Sequence, residues 1–389
     1  MFAFSRRLID RFNHVLVFGC LALGVAACSD VRTGLIPAAS TTVAGASSRA
    51  AAVQENSPSG TLPPPAVTLI GAPPATATAT AFTPVPTLTS TPAESPTPDP
   101  YAGLTIQDLI ARAYGGGVLQ IIEPLDENAF FARYLIAYPS DGLQIYGFMD
   151  IPKGDGPFPV VIASHGYIDP GVYNTLDYTT GYADALASAG YLVLHPNLRG
   201  YPPSDGGPDL FRVGMAVDVL NLIALVKEQG GTAGALANAD PGRIGLWGHS
   251  MGGGISTRVM VVSPDVKAVL LYGPMSGDEQ KNYERILNVF SDGTRGLEEL
   301  SAPPEAFERI SPIYYLDRVQ AAISLHHGES DAEVPIEWSL DLCDRLRTLG
   351  KQVECFTYPG QPHTFTGDGL QQFVQRMIEF FDQELKKGS

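Results

Sequence analysis

The chain has 389 residues, with 25 Lys and Arg against 41 Asp and Glu, and the whole net charge of −16 falls on residues 101–389. An acidic body of that size argues against binding a phosphate backbone, which requires a basic stripe to release counterions. A hydrophobic content of 44% excludes a chain disordered overall, and four cysteines exclude a disulfide scaffold.

Residues 1–27 read as an export signal. Arg6, Arg7 and Arg11 make a basic start, and Val15 to Ala27 is an apolar run. At 13 residues that run is too short to cross a hydrocarbon core of roughly 30 Å. It ends Val25-Ala26-Ala27-Cys28, which resembles the lipobox of bacterial lipoproteins. The resemblance implies lipidation of Cys28, cleavage before it, and an extracytoplasmic protein whose only contact with the membrane is the lipid anchor. Cleavage near Ala27 as an ordinary secretory signal is the alternative.

Residues 28–100 read as a Thr/Pro/Ala-rich disordered linker. No charged residue lies between Glu55 and Glu94, and 12 of the 32 prolines fall between Pro58 and Pro100. Without apolar periodicity such a stretch cannot offset the entropy of ordering. It would reach about 50 Å as a coil and about 220 Å as polyproline II.

From Tyr101 to the C-terminus the composition is that of one folded domain. Ala132 to Ile151 alternates around Ser140-Asp141-Gly142 and predicts a hairpin. Strands are predicted at Pro159–Ser164, Tyr191–His195, Arg243–Trp247, Val266–Tyr272, Ala321–His326 and Gln352–Tyr358. Helices fall between or after them, at about Thr180–Ala189, Val213–Glu228, Met251–Val262, Ile336–Leu349 and Gly369–Lys386. Short apolar runs separated by helices predict a mostly parallel, eight-stranded α/β sheet covered on both faces, with any active site at the strand C-termini. Residues 275–310 are too long and polar for a plain crossover and predict a lid-like insertion.

Gly248-His249-Ser250-Met251-Gly252 carries the chemistry. It follows a predicted strand and opens a predicted helix, the context of a nucleophile elbow. A tight bend there needs small neighbours, which Gly248 and Gly252 supply, and it leaves the Ser250 hydroxyl at a helix N-terminus. A serine needs a base and an orienting acid. Of the histidines after Ser250, His363 lies in a loop between the last strand and last helix and is the expected base. His326 and His327 end a strand and are expected to bond locally. Asp331 is the expected acid, with Glu329 and Glu333 as nearer competitors and Asp317 and Asp278 further off. The Met251 N–H and that of Tyr167, in the loop His165-Gly166-Tyr167, are expected to form the oxyanion hole. His165 reads as structural. His327, Glu329 and Asp331 lack a further cluster to make a metal site, so neither metal nor cofactor is expected.

The stretches 248–253, His327-Gly328-Glu329-Ser330-Asp331-Ala332-Glu333-Val334-Pro335 and Tyr358-Pro359-Gly360-Gln361-Pro362-His363-Thr364-Phe365 resemble the catalytic domain of the prolyl oligopeptidase family. Asn197-Leu198-Arg199-Gly200-Tyr201 is similar to that family's Arg-Gly stretch. The likeness implies an α/β-hydrolase fold, with Ser250, Asp331 and His363 as its triad and a small ester or peptide as substrate. The region before Phe158 is too short for the β-propeller of the family's peptidases. His165-Gly166-Tyr167 also resembles the oxyanion loop of polyester hydrolases and cutinases, so a carboxylesterase is the alternative to a peptidase. A surface-displayed binding module without catalysis is the reading from another class. Cys343 and Cys355, on a predicted helix and the next strand, are expected as two buried thiols, with a disulfide in an oxidising compartment as the alternative.

Overall fold

The computed structural model describes residues 99–387. The signal, Cys28 and nearly all of the linker lie outside the described residues.

The chain opens with a short helix α1 (Ile106–Ala111), where the Thr105 hydroxyl caps the Asp108 N–H and Asp108 reaches back. Three antiparallel strands follow: β1 (Gln120–Glu127), β2 (Phe131–Ser140) and β3 (Leu143–Pro152). The β2–β3 hairpin turns on Asp141 and Gly142, whose φ values of 53° and 81° suit a two-residue loop. Next come β4 (Phe158–Ser164), α2 (Thr180–Ser188), β5 (Leu192–Pro196), α3 (Val213–Gln229), β6 (Ala239–His249) and α4 (Met251–Val262). After β7 (Val266–Tyr272) an excursion holds α5 (Glu279–Arg285), α6 (Leu297–Leu300) and α7 (Pro304–Ile310). The chain then closes with β8 (Ala322–Gly328), α8 (Ile336–Thr348), β9 (Val353–Tyr358) and α9 (Gly367–Phe381).

The sheet has nine strands in the order β1-β2-β3-β5-β4-β6-β7-β8-β9, parallel from β5 onward. This is an α/β-hydrolase fold with one strand more than expected. The additional strand is β1, an edge strand almost wholly exposed, interrupted by Pro124 and two register shifts. It carries no buried face and so no apolar alternation to read.

Each central strand feeds two cores. Val160 and Ile162 join the cluster on one face with α3 and α4, while Val161 and Ala163 join α2 and α9 on the other. That two-sided burial explains the continuous apolar runs of these strands. Cys343 of α8 and Cys355 of β9 are joined by a disulfide with Cα atoms 6.5 Å apart, which corrects the expectation of two thiols. Helix and strand are brought within bridging range by the tight α8–β9 connection, a proximity that spacing alone did not fix.

The excursion after β7 is anchored by charge. Glu279, at the start of α5, accepts from Arg258 of α4 at 2.7 Å and from Arg212 at 2.8 Å, all three side chains being buried or nearly so. A buried carboxylate held by two guanidiniums fixes where the excursion leaves the body.

Candidate active site

Ser250 sits between β6 and α4 with φ 54° and ψ −116°, a conformation a non-glycine residue adopts only when its surroundings enforce it. The enforcement is visible in the neighbouring glycines. A Cβ on Gly252 would lie 2.1 Å from the Ser164 carbonyl oxygen, and one on Gly248 would lie 2.4 Å from that of Gly252. The Ser250 N–H donates to Tyr272 O at 3.0 Å, and its carbonyl accepts from Met275 at 3.0 Å, tying the bend to β7 and its exit. Met251 is the first residue of α4, so its N–H belongs to the donors that a helix leaves unsatisfied at its start.

The loop after β4 comes against this bend. A Cβ on Gly166 would lie 3.2 Å from Ser250 Cβ and 3.3 Å from His249 Nδ1, so the loop passes close against the serine with little room for a side chain. His165 is fully buried, with ring nitrogens 2.7 and 3.0 Å from the carbonyl oxygens of Gly166 and Asn197. It holds the loop, and burial keeps its pKa low.

Asp331 follows β8 in a turn that its own carboxylate organises. Oδ1 accepts from the N–H groups of Glu333 and Val334 at 2.8 and 2.9 Å. Oδ2 lies 2.7 Å from His363 Nδ1 and 3.1 Å from His327 Nε2, with the carboxylate fully buried. Burial alone would raise this carboxyl, but the bonds from His327 and His363 and the Val334 N–H outweigh it and hold Asp331 well below the usual range. Asp331 is thus an anion at any working pH.

His363 leaves its Nε2 buried and without a hydrogen-bond partner, and its ring shares with Ser250 a cavity of about 590 Å³. His249 Nε2 lies 3.0 Å from His363 O and ties the elbow to the histidine's main chain. Ser250, His363, Met251 and Tyr167 therefore line one cavity at the C-terminal edge of the sheet, and Asp331 stands behind it, bonded to His363.

The other acids and histidines lie apart or play other parts. Glu329 accepts from the Thr357 hydroxyl at 2.8 Å, and Asp278 caps α5 through the Gln280 N–H. His326 bonds Tyr358 and Ser324. His327 bonds Ser339 and Val334 locally as expected, but its further contact with Asp331 was not foreseen. Glu333, a competitor for the acid in the sequence, does not take the place of Asp331 at His363 Nδ1; its Oε2 lies 3.7 Å from the opposite nitrogen, Nε2.

The excursion covers the site and touches two of its loops. Arg285 of α5 donates to the carbonyl oxygens of Ala332 and Glu333, beside Asp331. Arg295 donates to the Tyr167 hydroxyl at 2.8 Å and lies over that ring. Met275, Tyr283, Ile286 and Phe290 supply apolar wall. Neither arginine carries a pattern in the sequence, because their partners are over 45 residues away.

Residues 207–388 match the model of the prolyl oligopeptidase family and form a domain of that serine hydrolase family. Among curated proteins the chain is similar to the uncharacterized peptidase YtmA of Bacillus subtilis, 24% identical over 64% of this chain and 92% of that one. Among solved structures it is similar to an acylaminoacyl peptidase of Pyrococcus horikoshii, with a TM-score of 0.54, 24% identity and coverage of 67% of this chain and 43% of that one. It is likewise similar to acetyl xylan esterase 1 of Thermoanaerobacterium sp., with a TM-score of 0.52, 18% identity and coverage of 68% and 88%. The chain thus spans less than half of the peptidase structure and most of the esterase.

Proposed function

We propose, taking residues 207–388 as a prolyl oligopeptidase family domain, that the protein hydrolyses small peptide or ester substrates through a Ser250–His363–Asp331 triad and an acyl-enzyme. His363 Nε2 takes the Ser250 proton as Oγ attacks the acyl carbon. Asp331 holds the ring by its Nδ1–H and stabilises the imidazolium. The oxyanion is received by the N–H groups of Met251 and Tyr167. Collapse expels the amine or alcohol, to which His363 returns the proton, and water repeats the cycle on the acyl-enzyme.

The observation that carries this reading is the 2.7 Å bond from His363 to Asp331, in a ring whose other nitrogen has no partner and borders the Ser250 cavity. The family match favours a peptidase, while the likeness to an acetyl xylan esterase favours a carboxylesterase as second reading. Aminoacyl anilides assayed beside short acyl esters decide between them. Anilide cleavage lost in Ser250→Ala supports the peptidase, and ester cleavage alone supports the esterase.

The sequence Val25-Ala26-Ala27-Cys28 further supports a lipid anchor on Cys28 at an extracytoplasmic membrane face. The mass of the mature N-terminal peptide tests this: an acylated Cys28 is expected, and an unmodified residue 28 in the mature chain contradicts it.

A further inference from the structure

The Asp331 carboxylate has every acceptor position filled. Oδ2 meets His363 Nδ1 at 2.7 Å and His327 Nε2 at 3.1 Å, and Oδ1 accepts the N–H groups of Glu333 and Val334 at 2.8 and 2.9 Å. Those two N–H groups belong to consecutive peptide groups, Ala332–Glu333 and Glu333–Val334. The carbonyl oxygens of the same two peptide groups accept from Arg285 of α5, that of Ala332 from Nη2 at 2.8 Å and that of Glu333 from Nε. Two peptide planes thus stand between a guanidinium on one side and the carboxylate on the other.

A cation at the carbonyl and an anion at the N–H polarise one peptide group in the same sense, so the bonds in series strengthen one another. Ala332 and Glu333 are exposed, and without Arg285 their carbonyls would face water. Among the described residues no carboxylate pairs with Arg285, so its charge is directed at these two oxygens. A guanidinium offers parallel N–H groups at a fixed spacing and spans both carbonyls, which an ammonium, a point charge, does not. The place of Arg285 is itself set by the body of the domain. Its helix starts at Glu279, whose buried carboxylate is held by Arg258 and Arg212.

We propose that Arg285 is a positioning residue for the acid of the triad. Through two peptide groups it clamps the N–H donors that fix Asp331, so that His363 is aimed at Ser250 only while α5 of the insertion is seated. This rests on the Ser250–His363–Asp331 reading and adds to it a part supplied by the insertion. Arg285 does not line the cavity that Ser250 borders. Its loss therefore loosens Asp331 and His363 without removing a substrate contact, and the effect falls on kcat.

The test measures kcat and KM on a soluble ester, and the rate of Ser250 labelling by a small fluorophosphonate, in wild type, Arg285→Met and Arg285→Lys. A third readout is the low-field proton resonance of His363 Nδ1–H, assigned by its loss in His363→Ala. Arg285→Met keeps an unbranched stem without charge or fork. It is expected to lower kcat by about 10- to 100-fold with KM changed by less than about 2-fold. Labelling should slow by a similar factor, and the resonance should broaden or move. Arg285→Lys keeps the charge and should recover only part of the rate. A kcat within about 3-fold of wild type in Arg285→Met, or a loss confined to KM with labelling and resonance unchanged, overturns the proposal and leaves the hydrolase reading standing. Equal rates for the lysine and arginine enzymes overturn it too, and that comparison decides alone where Arg285→Met does not fold. No labelling of wild type overturns the triad reading itself.

Discussion

His249 Nε2 donates to the carbonyl oxygen of His363 at 3.0 Å, so the residue preceding the candidate nucleophile holds the main chain of the candidate base. Its Nδ1 is buried without a partner and burial depresses the ring's pKa, so the imidazole is neutral and protonated on Nε2. The elbow's second position thus fixes where the His363 ring starts. His249→Ala is expected to lower kcat about 10-fold or more with little change in KM, because positioning rather than substrate contact is lost. Steady-state kinetics on a soluble ester check this, and an equal rise in KM at constant kcat would assign His249 to binding instead.

The elbow's glycines should be intolerant for a steric reason. Gly252→Ala places a Cβ 2.1 Å from backbone oxygen that cannot retreat without moving β4. The expected loss is about 3 kcal/mol in urea unfolding. Gly206→Ala, where nothing lies within 4 Å, is the comparison and should change stability by less than about 0.5 kcal/mol.

Much of this was legible in the sequence because local chemistry and burial agreed. β7 and α4 fall at the predicted Val266–Tyr272 and Met251–Val262 because the strand is apolar apart from the exposed Lys267 and the helix is opened by a glycine bend. Ser250, Asp331 and His363 were legible because each stands at a strand's C-terminal end in this topology. What escaped was non-local. β1 has no buried face, Arg285 and Arg295 find partners far along the chain, and His327 meets Asp331 only through the shape of the turn. The Cys343–Cys355 bridge depended on side-chain direction that spacing does not report.

Buried histidines give the protein a defined acid sensitivity. His195 is fully buried, stacked on Phe148 at 4.6 Å, with both ring nitrogens unpartnered, and burial drives its pKa well below the usual value. Below about pH 6.5 the unfolded chain takes up a proton here that the folded chain refuses, so this residue's contribution to stability falls by about 1.4 kcal/mol per pH unit. His195→Leu removes that term. Its stability relative to wild type should rise by about 2 kcal/mol between pH 7.5 and pH 5. Equal stability differences at the two pH values would mean that His195 is protonated in the fold.

The disulfide closes a short loop between α8 and β9, residues 343 and 355 being 12 apart. A loop of this size is expected to contribute about 3 kcal/mol. The Cys343→Ala/Cys355→Ala pair should lose about that much in urea unfolding. Thiol titration of the wild-type chain unfolded without reductant should find neither cysteine.

The most direct measurement is the mass of the protein after reaction with a fluorophosphonate at neutral pH, followed by peptide mapping. A single adduct on Ser250, absent in Ser250→Ala and slowed by orders of magnitude in His363→Ala, is the expected result. An unmodified Ser250 in folded wild-type protein, or an adduct on another serine, would contradict the account.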